Sequence, residues 1–305
     1  MNWILIALGA YFLKAVSALV DRFLLGKPHV HPLAYSFYDG MFSIFALLLV
    51  PFGAFQWPSL SLLLASVFAG IAFVGGLFIF FTLLSTNDAS RVVPLIDSLT
   101  PPFLFFAAYA LLGERLMLSE FFAVFFLVSA GILLARARSE RGKKHRLRRS
   151  TVRIFFGASS AALLFALSYA LTKYVFLSES FITGFVWTRL GNVFAASGFL
   201  LFKKPRSLIF RGASFTSLKT GILFTANKII EGIVFVLVDY AIFLGSVTVV
   251  NALQGIQYAF LLSMGILISK KFPSVLTEEI SPHIVLKKVF AVLFMGIGLA
   301  ILVFR

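Results

Sequence analysis

Ten apolar runs dominate this chain, and each is long enough to cross a lipid bilayer as a helix. Crossing takes roughly 20 mainly apolar residues. The runs span 3–24, 32–53, 59–84, 90–112, 118–136, 154–175, 183–202, 220–244, 247–268 and 287–304. They are continuous rather than alternating, so they read as helices and not as strands of a membrane barrel. Of the 305 residues 60% are hydrophobic, against about 45–50% in a soluble domain. A water-soluble fold has no place for that much apolar surface. The 38 phenylalanines suit lipid-facing helix surfaces. The first run has no basic n-region and is interrupted by Lys14, so it reads as a retained span rather than a cleaved signal peptide.

Charge organises the remainder. The formal net charge is +15, which in a soluble chain would raise nucleic-acid binding. Here the basic residues sit in short loops between apolar runs, which points to membrane orientation and anionic headgroups instead. The stretch 136–153, RARSERGKKHRLRRSTVR, carries one acid, Glu140, among many Arg and Lys. It divides the chain into units at 1–135 and 154–305, with five runs each. The loops after runs 1, 3, 5, 7 and 9 hold nearly all the Lys and Arg. The positive-inside rule makes those loops cytoplasmic and places both termini outside. Segment 205–219 mixes basic and apolar residues and reads as a helix on the cytoplasmic surface.

The two units echo each other. SALVDRFLL (17–25) matches SYALTKYVF (168–176), pairing Ser17 with Ser168 and Arg22 with Lys173. Further on, FYDG (37–40) falls on WTRLG (187–191), which places Asp39 against Arg189. Segment 90–114 lies without a gap on 247–271, pairing Asp97 with Gln254 and Thr100 with Gln257. Five is odd, so the second unit must enter the membrane from the opposite side, as an inverted repeat. Such folds place a solute site near mid-membrane, between the repeats.

Segment 85–134 resembles an EamA-type repeat of the drug/metabolite transporter superfamily. A small-residue entry leads to a Pro-containing span, then Gly113-Glu114 with Arg115, then a span ending near Gly131. Segment 241–273 resembles the corresponding stretch, with Gly296 and Gly298 in the last span. The resemblance implies an all-α integral membrane protein of ten transmembrane helices in two inverted five-helix repeats, working as a carrier of small metabolites. Half two departs from the pattern: Lys271 stands where Glu114 would recur, and Glu278 and Glu279 follow later.

Intramembrane charge is paired, wetted or functional. Asp39 and Arg189 lie at repeat-equivalent positions and are expected to face a central cavity. Asp97 sits between Pro94 and Pro101, where missing backbone donors are expected to loosen the helix. Thr100, Gln254 and Gln257 supply neutral hydrogen bonds. Asp239 lines the cavity or partners Lys14, and Trp187, beside Arg189, offers an aromatic face. Asp39 and Asp97 are the candidates for proton coupling. Lys228 and Glu231, three apart, are expected to neutralise each other. Glu114, near a span end, reads as a cap or as a partner of Arg115. Trp3 and Trp57 read as interfacial aromatics.

There is no cysteine, so thiolate metal sites and cysteine nucleophiles are excluded. The spacing of His29, His31, His145 and His283 makes no metal site, and no cofactor or ATP-binding motif stands in the chain. The expected function is a secondary carrier exporting or exchanging a small polar metabolite in the cytoplasmic membrane. Its partners are that solute and lipids, not nucleic acid, and a homo-oligomer stays open. A nucleotide-sugar or lipid-linked sugar translocator ranks next, followed by a membrane-embedded lipid enzyme.

Overall fold

A computed structural model describes residues 2–25, 31–53, 55–86, 89–115, 117–136, 147–211 and 218–257, with scattered helical positions from 260 to 301. The secondary structure among them is helical, with no strand. Helices α1 (Asn2–Leu25), α2 (Pro32–Phe42), α3 (Leu60–Thr86), α4 (Ala89–Leu112) and α5 (Leu118–Arg136) form the first half. In the second half are α6 (Leu147–Phe176), α7 (Phe181–Gly198), α8 (Lys203–Arg211), α9 (Leu218–Leu244) and α10 (Val247–Ala252). Among the described residues, six helical stretches are long and apolar enough to cross a membrane. They are Trp3–Val20, Pro32–Phe52, Leu60–Thr86, Leu95–Leu112, Arg153–Phe176 and Gly221–Leu244. The helices present rings such as Phe45, Phe106, Phe125 and Phe156 outward. Apolar rows of this kind belong against acyl chains, since a soluble monomer rarely leaves large apolar patches open. The chain is an all-α, multi-pass membrane protein.

Local sequence explains where the helices begin and break. His31 caps α2, its Nδ1 accepting from the Leu33 N–H at 3.2 Å, and Pro32 opens the first turn. Ser180 caps α7 in the same way through Thr183. Helix α2 tightens into a 3-10 stretch, Ser43–Phe52, that carries Pro51. Gly113, at φ 64°, ends α4 in the left-handed conformation that glycine adopts most easily. Its N–H and that of Glu114 return to the carbonyls of Tyr109 and Ala108.

Three elements differ from the sequence expectation. Helix α4 stays helical through Pro94, Pro101 and Pro102 rather than unwinding around Asp97. The Ser98 and Thr100 hydroxyls donate to the Leu95 and Ile96 carbonyls there, and α4 is braced along α5 and α6. The loosening falls instead in the segment aligned with it, where α10 passes into a 3-10 turn at Leu253–Gly255. Helix α6 begins at Leu147, inside the stretch read as a linker. The surface segment expected over 205–219 begins earlier, because the chain bends by 107° after Leu201 into α8. Residues 137–146, 212–217 and most of 258–305, including Lys271, Glu278, Glu279, His145 and His283, lie outside the described residues, as does His29.

Small residues let the helices approach closely, as lipid-embedded packing requires. Gly70 of α3 meets Gly191 of α7 so tightly that a Cβ on Gly70 would lie 2.0 Å from the Gly191 carbonyl carbon. The principal packing pairs cross between the halves: α3 with α6 and α7, α4 with α6, and α1 with α9.

Candidate functional site

Between these helices lies a cavity of about 220 Å³. Helical spacing delivers its lining. Positions i, i+3, i+4 and i+7 share one face. Lys14, Ser17 and Ala18 therefore come from one side of α1, and Val93, Ile96, Asp97 and Thr100 from one side of α4. Glu231, Val234, Phe235 and Val238 do the same on α9. Asp39 enters from α2 and Tyr169 from α6, while Gln254 and Gln257 enter from the chain after α10. An aromatic wall of Phe73, Phe80, Phe81, Phe165 and Phe235 completes it.

Two buried charge clusters flank this space, and both are anchored on α9. In the first, Lys228 bridges two carboxylates, with its Nζ 2.6 Å from Asp39 Oδ1 and 2.6 Å from Glu231 Oε2. Its ammonium also lies over the rings of Tyr35 and Phe224. Glu231 accepts further from the Ser17 hydroxyl at 3.0 Å and from Asn227. In the second cluster Arg189 of α7 donates to Asp239. The Arg189 guanidinium is ringed by Phe235, Phe185 and Phe73 at 4.7, 5.2 and 5.7 Å. Phe73 and Phe235 line the cavity and pack on this guanidinium, while Arg189 and Asp239 themselves are not part of the lining.

A third polar group stands at the break between α9 and α10. Lys173 Nζ donates to the carbonyls of Ile242, Phe243 and Gly245 at 2.7, 3.2 and 2.8 Å, capping the end of α9. Glu114, carried out of α4 by the Gly113 turn, accepts from Ser246, the N-cap of α10. Desolvation holds the Glu114 carboxyl above its usual value. Ser246, Lys173 and the Thr248 backbone oppose that shift, and Glu120 adds to it.

Five of the eight residues named from sequence as cavity-lining stand on the cavity: Asp39, Asp97, Thr100, Gln254 and Gln257. Three stand elsewhere. Arg189 and Asp239 neutralise each other, so Asp239 partners neither Lys14 nor the cavity. Trp187 stacks on Phe55 at 5.8 Å and tilts against Trp57, and its indole donates to the Gln56 carbonyl at 3.0 Å. That places it against the loop before α3. Glu114 caps α10 through Ser246 instead of pairing with Arg115. Ser17 and Tyr169 were not singled out as lining residues. The signal for Ser17 lay in its spacing from Lys14, three residues along one face of α1; no local pattern marks Tyr169.

No family model matches the chain, and no curated protein matches it. The fold has solved counterparts. One protein crystal structure superposes with a TM-score of 0.72 at 16% identity, over 99% of this chain and 96% of its own. At that identity the likeness concerns the fold alone.

Proposed function

We propose that this chain is a secondary carrier of small polar metabolites, of the drug/metabolite transporter type, working as an exporter or exchanger by alternating access. The observation that carries the reading is the cavity. It is a pocket with charged and amide side chains, walled by helices of both halves, inside a bundle whose outer surface is apolar. Polar groups at that depth mark solute paths by default.

The ten-span, inverted-repeat architecture belongs to this proposal, and part of the packing supports it, although the close α3–α7 contact has no comparable α9–α2 counterpart. Exchanging the halves turns the α1–α9 contact into the α6–α3 contact. The α2–α7 and α4–α10 contacts map onto themselves under the same exchange. The basic loops then face the cytoplasm. A nucleotide-sugar site would need several basic groups in the cavity. Of Lys14, Arg189 and Lys228 only Lys14 lines it, and the other two are held by carboxylates.

The test is reconstitution. Solutes that raise the thermal stability of the purified protein are loaded into proteoliposomes, and counterflow is measured with and without a pH gradient. The carrier reading expects counterflow that saturates. It expects Asp97→Asn, folded normally, to lose any response to the gradient. If every stabilising solute fails to exchange, the carrier reading falls. If Asp39→Asn and Asp97→Asn both respond to the gradient as the parent does, neither carboxylate couples protons.

A further inference from the structure

The charges around the cavity do not balance one another evenly. Lys228 is shared by Asp39 and Glu231, and Arg189 is held by Asp239. Lys14 differs. It lines the cavity from the middle of α1, yet among the described residues it has no hydrogen bond and no carboxylate within ion-pair distance. Its ammonium lies 5.8 Å from the centroid of the Tyr11 ring. That ring is fixed in place, because the Tyr11 hydroxyl donates to the Val250 carbonyl at 2.8 Å. Asp97 and Glu231 are the acids whose fields reach Lys14. Glu231 is already occupied by Lys228, Ser17 and Asn227. An ammonium at this depth must be paired or wetted, so its donors point to water or to cargo.

A second observation concerns another residue of the lining. Gln257 lines the pocket at 2% exposure, and its Oε1 has no hydrogen-bond partner among the described residues. A buried amide oxygen left unmade is expensive, and a polar ligand in the pocket would satisfy it. The same cavity is lined by five phenylalanine rings.

We infer that Lys14 is the anion anchor of the cavity, and that the cargo is an amphiphile carrying a carboxylate on an apolar, ring-sized body. The carboxylate takes the Lys14 ammonium, a hydrogen-bond donor elsewhere on the cargo meets Gln257 Oε1, and the body lies on the aromatic wall. This rests on the carrier reading for its biological sense, but the binding site stands or falls separately.

Three probes share one body and differ only in the head: 3-phenylpropionate, 3-phenylpropylamine and 3-phenylpropanol. Thermal unfolding of the detergent-purified full chain is followed with each. The acid is expected to stabilise the protein, and the amine and alcohol to stabilise it far less. Lys14→Met should weaken the acid by about ten- to a hundredfold, the range of one charge-assisted hydrogen bond in a dry site, and Lys14→Arg should retain it. The inference is overturned if the amine or the alcohol stabilises as much as the acid, if no probe stabilises, or if the acid acts equally on Lys14→Met. Should Lys14→Met fail to fold, the ranking of the three probes on the parent protein still decides. Stabilisation by the acid without counterflow in proteoliposomes would keep the anion site and remove the carrier reading. Counterflow of the amine alone would do the reverse.

Discussion

Asp239→Asn should be among the most damaging single substitutions in this protein. Asp239 is 1% exposed and Arg189 is 6% exposed, and the guanidinium faces three phenylalanine rings on its other sides. Removing the carboxylate leaves a buried cation whose remaining neighbours are ring faces. Breaking a buried pair from one side costs about 3–5 kcal/mol, because the surviving charge is uncompensated. Arg189→Met should cost less, since a stranded carboxyl can take up a proton while a guanidinium cannot release one. The double variant Arg189→Met with Asp239→Leu removes both charges and fills the space with apolar atoms. It should recover most of the loss, so its cost should fall well below the sum of the single losses. Unfolding in mixed micelles, titrated with SDS, measures all three variants against the parent. Additive losses in the double variant would refute the reasoning, as would Asp239→Asn unfolding at the parent midpoint.

Close helix contact gives a second expectation. A Cβ on Gly191 would lie 2.1 Å from the Ser66 carbonyl oxygen, so Gly191→Ala should force α3 and α7 apart and destabilise by about 1–3 kcal/mol. Gly9→Ala, with nothing within 4 Å, should be neutral or gain about 0.5–1 kcal/mol from helix propensity; equal midpoints for the two variants would contradict the packing. Lys173→Met removes three donors from the end of α9, and hydrogen exchange should quicken over 241–246 with little change at 224–234. The Glu114 carboxyl, raised by burial from an ordinary 4.5, binds its proton more tightly when folded than when unfolded. Its contribution to stability is therefore greatest at acid pH and is lost as pH rises from about 4.5 through the raised value. Glu114→Gln should flatten that slope in a pH series of unfolding midpoints.

The fold and the site were legible to different depths. Helices α1 to α7 and α9 lie over the apolar runs read from sequence, because hydrocarbon length and backbone satisfaction leave few choices in lipid. Helix starts inside polar sequence were less visible. Nothing in the Arg-rich composition of 136–153 announces that α6 begins at Leu147. Prolines misled the reading of α4, because Ser and Thr hydroxyls and neighbouring helices hold backbone that a lone helix would release. Positions on the cavity were readable wherever helical spacing decided them, as for Asp97 and Thr100. Partner choice was not readable: whether Asp239 meets Lys14 or Arg189 depends on how α9 is rotated between α1 and α7, and no local pattern records that rotation.

That rotation has a consequence for the carrier reading. Asp39 and Arg189 sit at matched places in the two halves, with opposite charge, and α9 carries a complement for each. Lys228 meets the acid of α2, and Asp239 meets the base of α7. The two contacts lie 11 residues apart on one helix, which at about 1.5 Å per residue is roughly 16 Å, or three turns. Together they fix α9 both in height and in rotation against α2 and α7. Helix α3, the counterpart of α9 in the proposed repeat, has no ionisable residue along Leu60–Thr86 and meets α7 closely at Gly70 and Gly191. A charged contact holds register, because sliding it strands a buried ion, whereas an apolar glycine contact has no such barrier. If the halves rock, α3 against α7 is therefore the interface built to move and α9 the one built to stay. Cross-links should bear this out: a cysteine pair across α9 and α2 should leave counterflow intact, and a pair across α3 and α7 should stop it. The opposite pattern would reverse the assignment.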